Sequence, residues 1–146
     1  MQIQEIPYQS DEYQQALKLR NQLLRLPLGL DLLSEDLSLE SKYIHFATVV
    51  SDQVVACVQA VPASEDRVKL RQMAVAVDYQ GQGVGRQLLE AVECLLRQRG
   101  VKVLELDARK EVIGFYEKLG YTCIGEKFVS VTIPHQRMSK TIIDGP

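Results

Sequence analysis

Residues 68–100 read VKLRQMAVAVDYQGQGVGRQLLEAVECLLRQRG, and the order of residue types in this stretch decides the fold. The apolar run from Val68 to Ala76 has the composition of a strand. Three glycines follow within a few positions, Gly81, Gly83 and Gly85. Behind them Leu88, Leu89, Val92, Leu95 and Leu96 recur as one helical stripe, and Gly100 stands where a C-terminal cap belongs. A strand, a glycine-rich turn and a helix start together form a phosphate cradle. The first N–H groups of a helix lack intrahelical partners and carry roughly half a positive charge between them. Glycine gives positive φ and close approach at an entropic cost, and a turn alone needs only one or two. The three glycines therefore let a pyrophosphate sit against bare amides, which points to a nucleotide-like ligand. Two common phosphate loops fit badly. A P-loop needs Gly-Lys followed by Ser or Thr, and a dinucleotide fingerprint needs GxGxxG, whereas this loop is GxGxG with Arg86 next.

Outward from this unit the chain alternates short periodic runs. Residues 2–8, QIQEIPY, suit a first strand ending near Pro7. Ser10 and Asp11 offer an N-cap, and Tyr13, Ala16, Leu17, Leu23 and Leu24 keep helical spacing to about residue 25, where Pro27 and Gly29 stop it. The acidic segment 31–42 is expected to hold a short second helix. YIHFATVV (43–50) and VVACVQAV (54–61) form a hairpin with its turn at Ser51 and Asp52, and PASEDR turns the chain into the strand before the glycine loop. After Gly100 come a strand, VKVLELDA, a short helix, EVIGFYEKLG, and a closing hairpin, YTCIGEKFVSV with IPHQRMSKTI. With no repeat or linker, one α+β domain with a mixed sheet over residues 1–146 is expected.

Composition bounds the function classes. Hydrophobic residues make up 46% and charged residues 25% of the 146, ordinary values for a globular protein long enough to bury a core. A net charge of -2 leaves no broad basic field for nucleic acid or an anionic membrane. Cys57, Cys94 and Cys123 form no CxxC pair and are expected as small buried hydrophobes in a reducing compartment. No apolar run nears the ~20 residues that span a bilayer, and the N-terminus lacks the pattern of a secretion signal. A cytoplasmic protein without a bound metal is expected.

At QGQGVG (80–85) the chain resembles the Q/R-x-x-G-x-G/A signature of the GNAT superfamily of N-acetyltransferases. The likeness extends through LELDARKEVIGFYEKLGYTCIGE and the closing IPHQRM, and so covers most of the chain from Tyr43 onward. The signature alone is weak; joined to FYEKLGY (115–121) it is specific. The resemblance implies a central mixed sheet of about six to seven strands with about four helices. It also implies transfer of an acetyl group from acetyl-CoA to a primary amine of a small molecule or protein, and is compatible with a homodimer.

Carried over by residue, the resemblance makes Met73, Ala74 and Val75 main-chain partners of the pantetheine arm. Gln80, Gly81, Gln82, Gly83, Val84, Gly85 and Arg86 hold the pyrophosphate. Tyr116 lies against the cofactor and is the general acid for the departing thiolate, a role worth about 10² to 10⁴ in rate. Relatives often place a glutamate on the strand before the loop, where this chain has Arg71 and Gln72, so the base is open. Asp107, where relatives often carry Asn, either accepts a proton through water or bonds the amides of the short helix. His135 is the other candidate, because histidine is the residue type most often used as a general base. Arg20 falls on the apolar stripe of the first helix and needs a partner, either a substrate carboxylate or an internal ion pair. Arg20 and Arg71 are the candidate acceptor-binding residues, and Asp31, Glu35, Asp36 and Glu40 either form a solvated polar face or attract a cationic amine. Two other readings remain: a GNAT-fold module that binds CoA or another acyl-CoA without catalysis, and an unrelated nucleotide enzyme with a convergent loop.

Overall fold

The computed structural model describes residues 1–143. Strand β1 (Gln2–Ile6) leads into helix α1 (Asp11–Leu24), whose cap is Ser10: its Oγ accepts the Tyr13 N–H at 3.2 Å. Segment 31–42 forms two 3-10 turns, Leu32–Ser34 and Ser38–Lys42, in place of the expected second helix. The reason is local. The Asp31 and Asp36 carboxylates accept the N–H groups of Leu33 and Ser38, which caps turns and competes with helix propagation. Three α-helices thus stand among the described residues where about four were expected.

Strands β2 (Ile44–Val50) and β3 (Gln53–Pro62) form the expected hairpin, with Ser51 and Asp52 at φ 47° and 63°, the signs of a type I′ turn. Strand β4 (Arg67–Val75) precedes the glycine loop and helix α2 (Val84–Gln98). Then come β5 (Val103–Arg109), α3 (Ile113–Lys118), β6 (Thr122–Cys123), β7 (Phe128–Ser130) and β8 (Ile133–Thr141). The sheet runs β1-β2-β3-β4-β5-β8-β6, with β7 also paired to β8. Only β4 and β5 pair in parallel; the other neighbours are antiparallel.

Each face of the sheet is covered by one helix. Leu88, Leu89, Val92 and Leu96 of α2 are at most 1% exposed and pack on Val58, Leu70, Leu104 and Leu106. Burying each such side chain contributes about 1.5–3 kcal/mol. On the other face Tyr13, Ala16 and Leu17 of α1 pack on Ala47, Cys57 and Ala74. Of the three cysteines only Cys57 is buried; Cys94 and Cys123 are exposed, against expectation. Both lie on partly covered elements, where alternation gives a position on an element but not its cover.

Candidate active site

The site begins where a strand pair comes apart. The β4–β5 ladder joins Arg67 with Val103 through Leu70 with Leu106 and then ends, while β4 continues to Val75 and β5 to Arg109. A bulge on β4 accompanies the parting. Cys57 pairs with Ala74 and Gln59 with Arg71, so β4 carries an extra residue there. Gln72 sits in the bulge at φ 52°, an uncommon value for a side chain with a Cβ. Its Oε1 accepts the Arg20 Nε–H at 2.8 Å, which anchors the bulge to α1.

A cleft of about 580 Å³ opens between the parted strands, bounded by Met73, Ala74 and Val75 on one wall and Asp107, Ala108 and Arg109 on the other. These β4 residues therefore present a strand edge with no β5 partner. The Val75 carbonyl is already engaged on one lone pair, by Gln80 Nε2 at 2.8 Å, which ties the glycine loop to the strand end. Beyond Gln80, Gly83 is the N-cap of α2 in the left-handed region, φ 79°. No side chain caps this helix and no acidic residue occupies its first turn, so its leading amides remain open to an anion. Gly85 serves by closeness. A Cβ there would lie 3.2 Å from the Met73 methyl and 3.5 Å from the Phe115 ring. Arg86 points outward, paired with Glu90 on its own helix.

Tyr116 of α3 borders the cleft and is 9% exposed, its ring edge-on to Phe115 and Tyr121. Its hydroxyl makes no hydrogen bond to another described residue, and burial pushes its pKa up to about 12. His135 also borders the cleft. Its Nδ1 donates to the Ile133 carbonyl at 2.9 Å, and the ring stacks on Phe128, an arrangement that leaves Nε2 as the nitrogen bearing a lone pair in the neutral ring.

One expectation is corrected and one pair of alternatives is decided. Asp107 is engaged by cations rather than by water or the amides of the short helix. Lys69 Nζ lies 2.7 Å from its Oδ2, and Arg137 Nε is bonded to its Oδ1. Burial alone would raise its pKa, but the bonds from Arg137 and Lys69 outweigh it and hold the carboxyl below its ordinary range, which makes it a poor base. Arg20 lies behind the cleft wall, 1% exposed, with both terminal nitrogens on Glu40 at 3.0 and 2.5 Å. Its partner is internal. Asp31 and Glu35 are likewise occupied, by Asn21 and Arg25, and Asp36 accepts the Ser38 N–H, so all four acidic residues of this segment serve the fold. Arg71 does line the cleft, over the Tyr43 ring at 5.5 Å. Arg109, absent from the sequence-derived candidates, lines it too. The period of two along β5, counted on from Asp107, would have placed it there. Gln72 carried no such signal.

Comparison with known proteins adds the family. The acetyltransferase (GNAT) domain family matches residues 14–142. A Bacillus subtilis (strain 168) protein named as a candidate acetyltransferase is 30% identical over 111 residues, covering 70% of this chain and 76% of that one. A crystal structure of a candidate N-acetyltransferase from Lactobacillus plantarum superposes with a TM-score of 0.85 at 20% identity, over 98% of this chain and 100% of the other. An aminoglycoside 6′-N-acetyltransferase crystallised with coenzyme A gives 0.79 at 22% identity, over 100% and 99%. At these identities the structural likeness speaks for the fold.

Proposed function

The chain belongs to the GNAT acetyltransferase family, and from that premise we propose that it moves the acetyl group of acetyl-CoA to a primary amine of a small molecule or protein. The observation that carries this reading is a coincidence around one cleft: an unpaired strand edge at Met73–Val75 and a phenol without a partner among the described residues line it, and Gln80, which also lines it, leads into the uncapped helix start after Gly83. The residues fit the cosubstrate chemically. A strand edge supplies the alternating donors and acceptors that an amide-bearing pantetheine arm requires. The bare amides from Val84 onward, with the loop Gln80–Gly83 before them, suit a pyrophosphate. Acetyl-CoA, when bound, supplies an activated acyl carbon and a thiolate leaving group.

The protein's own groups then divide the work. Tyr116, protonated throughout the working pH range, donates its proton to the departing sulfur. The attacking amine must be neutral. His135, through Nε2 and water, takes the proton the amine sheds, since Asp107 is committed to Lys69 and Arg137. Binding and chemistry thereby fall to different residues.

The test begins with thermal unfolding in acetyl-CoA. A ligand at 100 times its dissociation constant adds about 2.7 kcal/mol, several degrees for a chain this size. No shift at millimolar acetyl-CoA overturns the reading. Thiol release that depends on added amine supports transfer; a shift with no such release leaves a module that binds CoA without catalysis.

A further inference from the structure

Cations exceed anions where the acceptor must enter. Arg25, Lys69, Arg71 and Arg109 all line the cleft. Arg25 is neutralised by Glu35 at 2.8 Å and Lys69 by Asp107 at 2.7 Å. Arg71 and Arg109 have no carboxylate at ion-pair distance among the described residues. The carboxylates facing this region are Glu105, Asp107 and Glu111. Glu105 is held by Arg67 and Arg137, and Asp107 by Lys69 and Arg137. Glu111 borders the cleft, close enough for its charge to act on Arg109 but not paired with it.

The two free guanidiniums share one face of the sheet. Along β4, Val68 and Leu70 pack beneath α2, so Lys69 and Arg71 face the α1 side; along β5, Leu106 and Ala108 do the same, so Asp107 and Arg109 face with Arg71. They therefore flank the parted strands from opposite walls, with His135 in register beside Arg109. Each is also held from one side only. Arg71 lies over Tyr43, and Arg109 Nη2 donates to the Leu24 carbonyl at the end of α1 at 2.8 Å. Burial, together with the charge of Arg25, disfavours the charged form of Arg109, a penalty that a bound anion relieves.

We infer that the acceptor is an amine carrying an oxyanion, carboxylate or phosphate, near its reactive nitrogen, and that Arg71 and Arg109 grip that group. The inference rests on the acetyl-transfer reading and narrows it. The planar fork of a guanidinium matches either oxyanion through two parallel bonds. A polycationic amine would instead be repelled by both arginines, and Asp31, Glu35 and Glu40, which could have compensated, are engaged elsewhere.

The experiment compares glycine, β-alanine, glutamate and O-phosphoethanolamine with ethanolamine and spermidine, as acceptors in thiol release from acetyl-CoA. The same six are titrated into the CoA-loaded protein by calorimetry. At least one oxyanion-bearing amine should exceed ethanolamine by about tenfold or more in kcat/KM, and the class that wins identifies carboxylate or phosphate. Arg71→Met and Arg109→Met should each raise KM for that amine about 10- to 100-fold and bring its preference over ethanolamine towards one. Arg71→Lys should retain part of it. Because Arg109 also bonds the end of α1, the Arg71 variants decide the matter should Arg109→Met fail to fold. Ethanolamine or spermidine equal to the oxyanion amines, or a preference unmoved by both arginine variants, overturns the inference while leaving acetyl transfer intact. No thiol release with any amine overturns the transfer reading; if calorimetry then also finds no binding of the four anions, the oxyanion site falls with it.

Discussion

Tyr116 and Arg20 illustrate how much a single side chain depends on what surrounds it. Tyr116 is enclosed by Phe115 and Tyr121 yet offers a hydroxyl without a partner among the described residues, and burial lifts its pKa from 10 to about 12. The sign matters for catalysis. A raised pKa keeps the proton on the phenol throughout neutral pH, so this group imposes no loss of rate until the medium becomes strongly alkaline. Tyr116→Phe removes the proton and little volume. It should lower kcat by about 10² to 10⁴ while the acetyl-CoA thermal shift stays within a degree of the parent, as measured by stopped-time thiol assays and melting curves. A loss of shift equal to the loss of rate would show that the hydroxyl binds rather than donates. Arg20 carries the same charge as Arg71 but is enclosed, and its charge is matched by Glu40.

At the scale of elements, the N-terminus of α2 is open because its cap is a glycine at φ 79° and contributes no side-chain acceptor. Gly83→Val places a β-branched residue in the left-handed region, at a cost of about 1–2 kcal/mol, and puts a side chain where the anion would lie. The space around the position is otherwise open, with no heavy atom within 4 Å of a built Cβ. The chain should therefore still fold, with a modestly lower melting temperature, but lose the shift given by acetyl-CoA. A full shift in a folded Gly83→Val protein would move the pyrophosphate away from this turn. The bulge in β4 precedes this turn in the chain and accompanies the parting of β4 from β5.

Across the whole molecule, one buried polar cluster joins α1, the 3-10 turn at 38–42 and the sheet. Arg20 pairs with Glu40, Tyr13 donates to Glu40 at 2.7 Å, and His45 Nε2 donates to the Glu40 carbonyl at 2.8 Å. Burial, helped by the charge of Arg20, lowers the His45 pKa below its ordinary 6.5. Glu40 is opposed by burial, yet the bonds from Arg20 and Tyr13 carry its pKa below the ordinary 4.5. Both groups have folded values below their unfolded ones, so their stabilisation is present above the unfolded pKa and lost as pH falls. Urea midpoints should decline first below about pH 6.5, from His45, and again below about 4.5, from Glu40. His45→Gln should abolish the upper decline and keep the lower one. Arg20→Met leaves Glu40 buried without its cation and should cost about 3–5 kcal/mol in urea unfolding at neutral pH.

The local order of residue types was sufficient for most elements and for the glycine turn that opens α2. A glycine turn between an apolar strand and an apolar-striped helix has few alternatives, and Ser51-Asp52 and Ser10 mark their turn and cap by backbone chemistry alone. Arg20, Asp107 and the acids of segment 31–42 could not be resolved that way, because whether a charge serves a ligand or an ion pair depends on which partner the fold brings within about 3 Å from elsewhere in the chain. Glu40 reaches Arg20, and Lys69 and Arg137 reach Asp107, only through strand register and helix packing. The same long-range geometry leaves Arg71 and Arg109 without a carboxylate at ion-pair distance among the described residues. The open helix start was thus written locally, whereas the pairing of charges around the cleft was settled by tertiary contacts, since sequence neighbours do not set which charges come within reach of one another.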